Sequence, residues 1–125
     1  MVKANLRYTE THEWIKIEQD IAIIGITDYA QHELGDIVYI ELPENGDKVS
    51  KGEAFGSIEA VKAVEDIISP LSGEVIEANN SLEDNPELIN SAAFEEGWII
   101  KIRMSDKSEL ESLIDATAYS EIIED

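Results

Sequence analysis

Cysteine is absent from this chain of 125 residues. A disulfide framework, a thiolate nucleophile and a zinc site built on cysteine are therefore excluded together. Sulfur redox chemistry would require a group that the protein acquires from outside its own sequence. The composition otherwise suits a folded domain, because 43% of the residues are hydrophobic and a chain of this length can bury a core without covalent cross-links.

Basic residues are scarce: nine lysines and arginines stand against 28 acids, which gives a formal net charge of −19. The chain therefore offers no cationic stripe that could displace counterions from DNA or RNA, and anionic lipid surfaces would repel it. We expect no nucleic-acid partner and no membrane partner. The acidic field could steer the chain towards basic patches on other proteins, or it could serve solubility alone.

Long hydrophobic runs are also missing. Apolar stretches such as residues 21–24 are far shorter than the roughly 18 residues needed to span a bilayer. The first five residues contain neither an apolar signal segment nor an amphipathic lead rich in arginine and serine. We expect a cytoplasmic monomer with a single domain over residues 1–125, or a mitochondrial matrix protein if a transit peptide has been removed.

Enzyme signatures are absent as well. The sequence has no Walker loop, no GxGxxG, no HExxH and no GxSxG motif, and its acids do not match an EF-hand loop. The two histidines, His12 and His32, lie in different predicted elements, and neither pairs with a serine in a recognisable motif. We therefore predict no catalytic residue and no metal site, and we expect that the chain is not an enzyme.

The chain does contain a series of short β patterns separated by glycine, proline and asparagine turns. Residues 13–18 alternate polar and apolar side chains, residues 21–24 form a second β-rich run that Gly25 is expected to end, and residues 36–42 form a third. Many short strands of this kind favour a mostly β fold of the sandwich or barrel type, with helices at its edges.

Two of these edge helices have clear end signals. Thr27 is a good N-cap for a short helix, and Gly35 stands where a left-handed residue commonly ends one. Nearer the C-terminus, Asp106 and Glu109 resemble a capping pair. Apolar residues at helical spacing follow this pair, so we expect the chain to close with an amphipathic helix.

One lysine stands apart from the acidic background. Lys62 is the only basic residue between Lys51 and Lys101, a window that holds eleven acids. Two β-rich runs flank it, and the small residues Ala60 and Ala63 stand beside it, although the asparagine and glycine of a tight two-residue turn are missing. We interpret this lysine as the tip of a β-hairpin, with a side chain that is free to project.

The segment around Lys62 resembles the modified-lysine hairpin of the lipoyl and biotinyl carrier family. It reads GSIEAVKAVEDIISPLSGEV over residues 56–75, and a GDKV turn precedes it at residues 46–49, as in that family. The segment alone leaves three kinds of carrier open: a lipoyl domain of a 2-oxoacid dehydrogenase, a biotin carrier, and the H protein of the glycine cleavage system.

The rest of the chain favours the third kind. Biotin carriers usually place methionines beside the lysine, whereas this chain has Val61 and Ala63, and generic lipoyl domains are shorter. The remaining segments are similar to signatures of the H-protein family: YTETHEW at 8–14, GITDYAQ at 25–31, PELINS at 86–91, GWI at 97–99 and LIDATAY at 113–119. The resemblance covers nearly the whole chain, with one small departure at Ala60, where many members have serine.

The resemblance implies a fold and a cofactor. The fold would be mostly β, a lipoyl-type barrel-sandwich hybrid of two antiparallel sheets with short peripheral helices and a C-terminal helix. Lipoate would be bound in amide linkage to Lys62. Lipoylation would depend on recognition of nearby residues and of the following turn: Glu59, Ala60, Val61, Ala63 and Gly73.

The resemblance also implies partners for a non-enzymatic carrier. A pyridoxal-phosphate glycine decarboxylase, the P protein, would load an aminomethyl group onto the lipoyl sulfur. An aminomethyltransferase, the T protein, would pass the one-carbon unit to tetrahydrofolate, and a dihydrolipoyl dehydrogenase, the L protein, would reoxidise the dithiol. The enzyme that attaches lipoate would be a fourth partner.

The loaded arm would carry an ammonium group, and exposure to water invites its hydrolysis. We therefore predict that the arm folds onto a surface cleft lined by carboxylates. Glu13 and Asp66 are the predicted partners of the cation, because each lies beside a family signature. His12 and Thr11 are secondary candidates for the same cleft.

Two other kinds of function remain open from the sequence. A lipoyl donor related to the H proteins, or a lipoyl domain serving another complex, would carry the same lysine. An acidic interaction protein without any cofactor would share the composition. The gain of one lipoyl group in mass, abolished by Lys62→Ala, separates a carrier from the cofactor-free protein.

Overall fold

The computed structural model describes residues 2–123 and is built mainly from short strands. The strands are β1 (Arg7–Tyr8), β2 (Glu13–Glu18), β3 (Ile21–Ile26), β4 (Ile37–Glu41), β5 (Lys48–Val49), β6 (Ala54–Ala60), β7 (Val64–Ile68), β8 (Gly73–Ala78) and β9 (Ile100–Met104). The helices are α1 (Asp28–Leu34), α2 (Ser81–Asp84), α3 (Leu88–Ser91) and α4 (Ala116–Ile123), with a 3₁₀ helix at Lys107–Ser112 before α4.

These strands form two antiparallel sheets. The larger sheet has the order β1-β2-β3-β9-β8-β5, and the smaller has the order β4-β6-β7. The mostly β fold predicted from the sequence is therefore confirmed, together with its short peripheral helices and its C-terminal helix.

Branched aliphatic side chains fill the space between the two sheets. Ile15 and Ile24 come from the larger sheet, Ile58 and Ile67 come from the smaller one, and each is at most 2% exposed. The period-two alternation of a strand brings such residues to one face. Burial of each side chain contributes roughly 1.5–3 kcal/mol, so the core holds the hairpin β6–β7 firmly against the larger sheet.

A second apolar cluster joins the two ends of the described chain. Tyr8 of β1 stacks on Tyr119 of α4, with ring centroids 4.6 Å apart, and both side chains are fully buried. The backbone of Tyr8 also exchanges hydrogen bonds of 2.8 and 2.9 Å with Ile114. These contacts fix α4 beside the turn that leads into β2.

Gly25 lies inside β3, so the prediction that it ends the strand is wrong. The strand continues to Ile26, and Gly25 pairs with Trp14 of β2. A Cβ at Gly25 would stand 2.6 Å from Trp14 Nε1. The glycine therefore provides space for a buried indole, whose Nε1–H donates to the carbonyl of Ala93 at 2.9 Å.

The predicted capping pair near the C-terminus is confirmed for Asp106 and wrong for Glu109. Asp106 does cap the 3₁₀ helix, because its carboxylate accepts a hydrogen bond of 3.0 Å from the backbone N–H of Ser108. The Glu109 carboxylate instead accepts from the backbone N–H and the hydroxyl of Ser72, at 2.7 and 2.9 Å. The C-terminal region is thus a 3₁₀ helix tied to the turn before β8, followed by the separate helix α4.

The first residue of β8 predicts a large effect of a small substitution. A Cβ at Gly73 would overlap the backbone carbonyl oxygen of Arg103 in β9. Gly73→Ala should therefore lower the free energy of unfolding by about 1–3 kcal/mol or more, as overpacking does. Chemical denaturation measures this, with Glu74→Ala, an exposed neighbour in the same strand, as the control. Equal stability of Gly73→Ala and the unaltered chain would contradict the close approach of Gly73 to the backbone of Arg103.

Candidate functional site

Lys62 lies at the tip of the hairpin formed by β6 and β7, as its sequence context predicts. The pairing of Glu59 with Val64 is the last of the ladder. Beyond it, the backbone N–H of Ala60 donates to the carbonyl of Ala63 at 2.8 Å. The tight turn that results leaves the lysine side chain exposed.

The connection between α1 and β4 holds this tip in place. The backbone N–H of Val61 donates to the carbonyl of Asp36 at 3.0 Å. The lysine stem lies against Gly35, where a Cβ would stand 3.2 Å from Lys62 Cε. Gly35 has a φ of 82°, a value that glycine adopts far more readily than other residues. The predicted C-cap glycine therefore ends α1 and also leaves room for the lysine.

Asn90 of α3 fixes the end of α1. Its amide nitrogen donates to Gln31 Oε1 at 2.8 Å and to the carbonyl of Gly35 at 3.0 Å. Its Oδ1 accepts from the backbone N–H of Ile37 at 2.9 Å. One side chain thereby satisfies polar groups at the end of α1 and at the start of β4. The surface against which the lysine stem rests depends on this residue.

Four of the five predicted recognition residues surround the lysine. Glu59 and Val61 are exposed, Ala63 is half-buried, and Ala60 is buried. Gly73 belongs to the larger sheet and follows the far end of β7, where the backbone of β9 leaves no space for a Cβ. The structure gives Gly73 a packing role and does not bring it to the lysine.

A cleft of about 310 Å³ opens between α1, β7 and the turn before β2. It brings together all four residues that the sequence assigns to a sheltering cleft: Thr11, His12, Glu13 and Asp66. Its apolar walls are Ile26, Ala30, Leu34, Ile58 and Ile67. Leu34 directly precedes Gly35, against which the lysine stem lies, so the chain links one wall of the cleft to the surface beneath Lys62.

Three polar residues of the cleft were not among those predicted. Tyr29 and Glu33 come from α1, and Glu65 comes from β7. The first two are four residues apart, a spacing that places side chains on one helix face. Helical spacing from the predicted N-cap therefore indicates that they lie together, but it does not show that this face meets β7. With them the cleft has four carboxyl groups, and within residues 2–123 no lysine or arginine lines it.

Glu13 is buried although it is an acid, with 3% of its surface exposed. Its Oε1 accepts hydrogen bonds from the hydroxyls of Thr9 at 2.6 Å and Thr11 at 2.5 Å. Burial raises the pKa of Glu13, and these bonds, with one from the backbone N–H of Ile68, oppose part of the rise. A poorly solvated carboxylate is stabilised by a nearby cation, so Glu13 suits a positively charged ligand.

His12 forms another wall of the cleft. Its φ of 73° is uncommon for a residue with a side chain. Backbone hydrogen bonds hold this conformation, from its own N–H to Thr9 O at 3.1 Å and from Thr27 N–H to its carbonyl at 3.0 Å. Its ring centroid lies 4.9 Å from that of Tyr29. Burial lowers the pKa of His12, while the Glu33 carboxylate opposes the shift.

This cleft suits a flexible hydrocarbon chain that ends in a cation. The apolar residues Ala30 and Leu34 belong to α1, the helix that ends at the glycine under the lysine stem, whereas Glu13 and Asp66 supply carboxyl groups from two strands. A lipoyl chain attached to Lys62 could contact the apolar walls, and an ammonium group at its end could pair with the carboxylates. The residues present therefore fit lipoate.

Neither unpaired buried polar side chains nor metal-binding clusters occur in residues 2–123. No buried side-chain nitrogen or oxygen in the described part of the chain lacks a hydrogen-bond partner. In residues 2–123, no group of three or more histidine, aspartate and glutamate side chains is arranged to hold a metal ion. No helix between those limits is long and apolar enough to cross a membrane.

Comparisons with known proteins agree with one another. A family model described as Glycine cleavage H-protein matches residues 6–125. Two glycine cleavage system H proteins from strains of Staphylococcus epidermidis are 50% and 49% identical over 122 residues, or 98% of this chain and 97% of each relative. The crystal structure of a glycine cleavage system H protein from Mycobacterium marinum is similar with a TM-score of 0.87 and 32% identity, over 96% of this chain and 97% of that one.

The burial of Glu13 predicts a pH-dependent stability. Because its pKa is raised in the folded chain, the folded state binds more protons than the unfolded state between the ordinary value of 4.5 and the raised value. The stability that this group contributes therefore falls as the pH rises through that window. Glu13→Gln cannot ionise, so it should gain stability relative to the unaltered chain over the same window, as measured by urea unfolding at several pH values.

The matched control for this experiment is Glu74→Gln, which removes one negative charge from the exposed face of β8. Its stability difference is subtracted, because the chain carries a net charge of −19 and any lost acid reduces the general repulsion. A corrected difference for Glu13→Gln that stays constant with pH would contradict the account of Glu13.

Proposed function

The chain belongs to the glycine cleavage H-protein family, and from this we propose that Lys62 carries its lipoyl group in amide linkage. Members of the family are non-catalytic lipoyl carriers, and this chain has that role in glycine cleavage. The observation that supports Lys62 is its place at the hairpin tip, with its stem against Gly35, the residue that follows Leu34 of the acidic cleft. When bound, lipoate supplies the disulfide that is reduced as it takes up the aminomethyl group.

Family membership implies interaction with the other proteins of the glycine cleavage system. The specific partners that we propose are the pyridoxal-phosphate glycine decarboxylase, the aminomethyltransferase, the dihydrolipoyl dehydrogenase and the enzyme that attaches lipoate. The projecting hairpin tip supports this set, because each enzyme has to reach the same side chain. Tethering keeps the arm at a high effective concentration in each docked active site.

The attaching enzyme, in this proposal, reads the hairpin tip itself. Glu59 and Val61 are exposed and available for contact, whereas Ala60 and Ala63 close the turn through their backbone hydrogen bond and add little bulk beside the lysine. Gly73 is left out of this set, because it lies in the other sheet.

Glu13 and Asp66 are the residues that we propose for binding the ammonium of the aminomethyl cargo. The buried Glu13 carboxylate gains most from a cation, and Thr11 orients it by donating to its Oε1. Asp66 adds a carboxylate from β7, and His12 closes the wall between β2 and α1. A protonated amine has no lone pair with which to expel the sulfur, so pairing with carboxylates slows the loss of the cargo.

We further propose that the chain works in the cytoplasm as a monomer and as one carrier domain over residues 1–125. The bacterial source of the two staphylococcal relatives supports the location. The net charge of −19 supports the monomer, because identical copies of so acidic a chain repel one another.

Lys62→Ala should abolish lipoylation. After incubation with a lipoyl ligase, lipoate and ATP, intact-mass analysis should show a gain of one lipoyl group in the unaltered chain and in Lys51→Ala, an exposed lysine used as the control. Lys62→Ala should show no gain. Lipoylation of Lys62→Ala would show that the cofactor is attached at another residue. No mass gain in the unaltered chain would exclude the cofactor.

Glu13→Gln and Asp66→Asn should each accelerate the loss of the aminomethyl cargo. A hydrogen bond to a charged group contributes about 1.5–3 kcal/mol, so the expected increase is roughly tenfold or more. The measurement is the rate at which the lipoylated, loaded chain releases formaldehyde and ammonium. Glu74→Gln, an exposed acid of the larger sheet, is the control, and unchanged rates in both cleft variants would rule out the sheltering role.

A further inference from the structure

A chain of three hydrogen-bonded side chains lies behind the cleft. Thr27 is the N-cap residue of α1. Its hydroxyl is 2.7 Å from the hydroxyl of Tyr119 in α4. The Tyr119 hydroxyl is in turn 2.8 Å from His12 Nδ1. Thr27 and Tyr119 are fully buried, whereas the His12 ring reaches the cleft. The C-terminal helix thus contacts His12, a residue of the cleft wall, through the hydroxyl and the ring of Tyr119.

The direction of these hydrogen bonds follows from the partners that are available. Thr27 Oγ1 already accepts from the backbone N–H of Ala30 at 3.2 Å, and within the described residues its only other partner is the Tyr119 hydroxyl. A buried hydroxyl hydrogen without an acceptor is costly. Thr27 therefore donates to Tyr119, and Tyr119 donates to His12 Nδ1, which must then be the unprotonated nitrogen of the ring.

We infer that Tyr119 is a positioning residue of the carrier, which holds His12 as a neutral imidazole with its proton on Nε2. Protonation of His12 would require Nδ1 to become a donor and the whole chain to reverse. The reversed chain would leave the hydroxyl hydrogen of Thr27 buried without an acceptor. The hydrogen bonds from Thr27 to Tyr119 and from Tyr119 to His12 thus oppose a positive charge on His12.

The acidic side chains around His12 favour its protonation, which the hydrogen-bond chain from Thr27 and Tyr119 opposes. The titratable side chains that contact His12 or share its cleft are Glu13 from β2, Tyr29 and Glu33 from α1, Glu65 and Asp66 from β7, and Tyr119 from α4. The four carboxyl groups would favour a protonated histidine by Coulomb attraction. Burial works in the opposite direction, and it also raises the pKa of Tyr119 to about 12, so this hydroxyl keeps its proton.

The consequence for function rests on the function proposed above. A protonated His12 would be a second cation in a cleft that receives an ammonium group, and like charges at contact distance repel. It would also pair with the carboxylates that the cargo needs. A histidine held neutral by Tyr119 therefore keeps the acidic side chains free for the cargo.

The tautomer of His12 tests the inference directly, in the full chain and without cofactor. Two-dimensional ¹⁵N–¹H spectra of the imidazole nitrogens, assigned with His32→Gln, should show His12 as the Nε2–H form near neutral pH. Tyr119→Phe should give a mixture of tautomers and raise the titration midpoint by about 0.5–1 pH unit, as expected for the loss of one hydrogen bond. Tyr39→Phe, which alters a tyrosine 54% exposed on β4, is the control. An Nδ1–H tautomer in the unaltered chain, or no change in Tyr119→Phe, would overturn the inference.

The functional consequence needs the lipoylated and loaded chain. The ratio of cargo loss in Tyr119→Phe to that in Tyr39→Phe should increase as the pH falls through about 6.5, the ordinary histidine pKa. A ratio independent of pH would show that the charge of His12 does not affect the cargo, even where the tautomer is as inferred. Failure of lipoylation at Lys62 would instead refute the proposed attachment site, and the tautomer measurement would still decide the role of Tyr119.

Discussion

A carboxylate placed where water cannot solvate it determines how the site is built. Glu13 is the one acid among the buried residues in the described part of a chain with 28 acids. Thr9 and Thr11 donate to it from the turn before β2, and the strand pairing with β3 fixes its backbone. Its raised pKa means that the ionised group lowers stability near neutral pH. A group with such a cost is typical of functional sites, and in the function that we propose it would favour binding of a cation in the cleft.

Local sequence signals predicted parts of the fold correctly. Thr27 caps the start of α1 and Gly35 caps its end, as predicted, and Lys62 lies at the tip of its hairpin. The predicted role of a residue was wrong where that role depends on a contact with a residue distant in the sequence. Gly25 looked like a strand end, but it makes room for an indole from the neighbouring strand, and Glu109 looked like a cap, but it binds the turn before β8. No local pattern contains those contacts.

The site residues likewise divide into those that local sequence indicates and those that only the folded chain brings together. Glu13 and Asp66 could be proposed because they adjoin segments typical of a family, and the structure places both in one cleft. Glu33 was missed because the sequence does not show that α1 faces β7. The bond between His12 and Tyr119 joins residues 107 positions apart, so only the folded chain shows that the C-terminal helix supports the cleft. Composition alone indicated an acidic protein, whereas packing decided which acids meet.

We propose that the cargo of Lys62 rests in this cleft. The most direct test is an NMR measurement of contacts between a ¹³C-labelled aminomethyl group on the lipoylated chain and the protein. If the cargo lies in the cleft, nuclear Overhauser effects are expected from the labelled methylene to the methyl groups of Thr11 and Ile26, which line the cleft. A sharp methylene signal that shows contacts only to protons of the arm itself would contradict it.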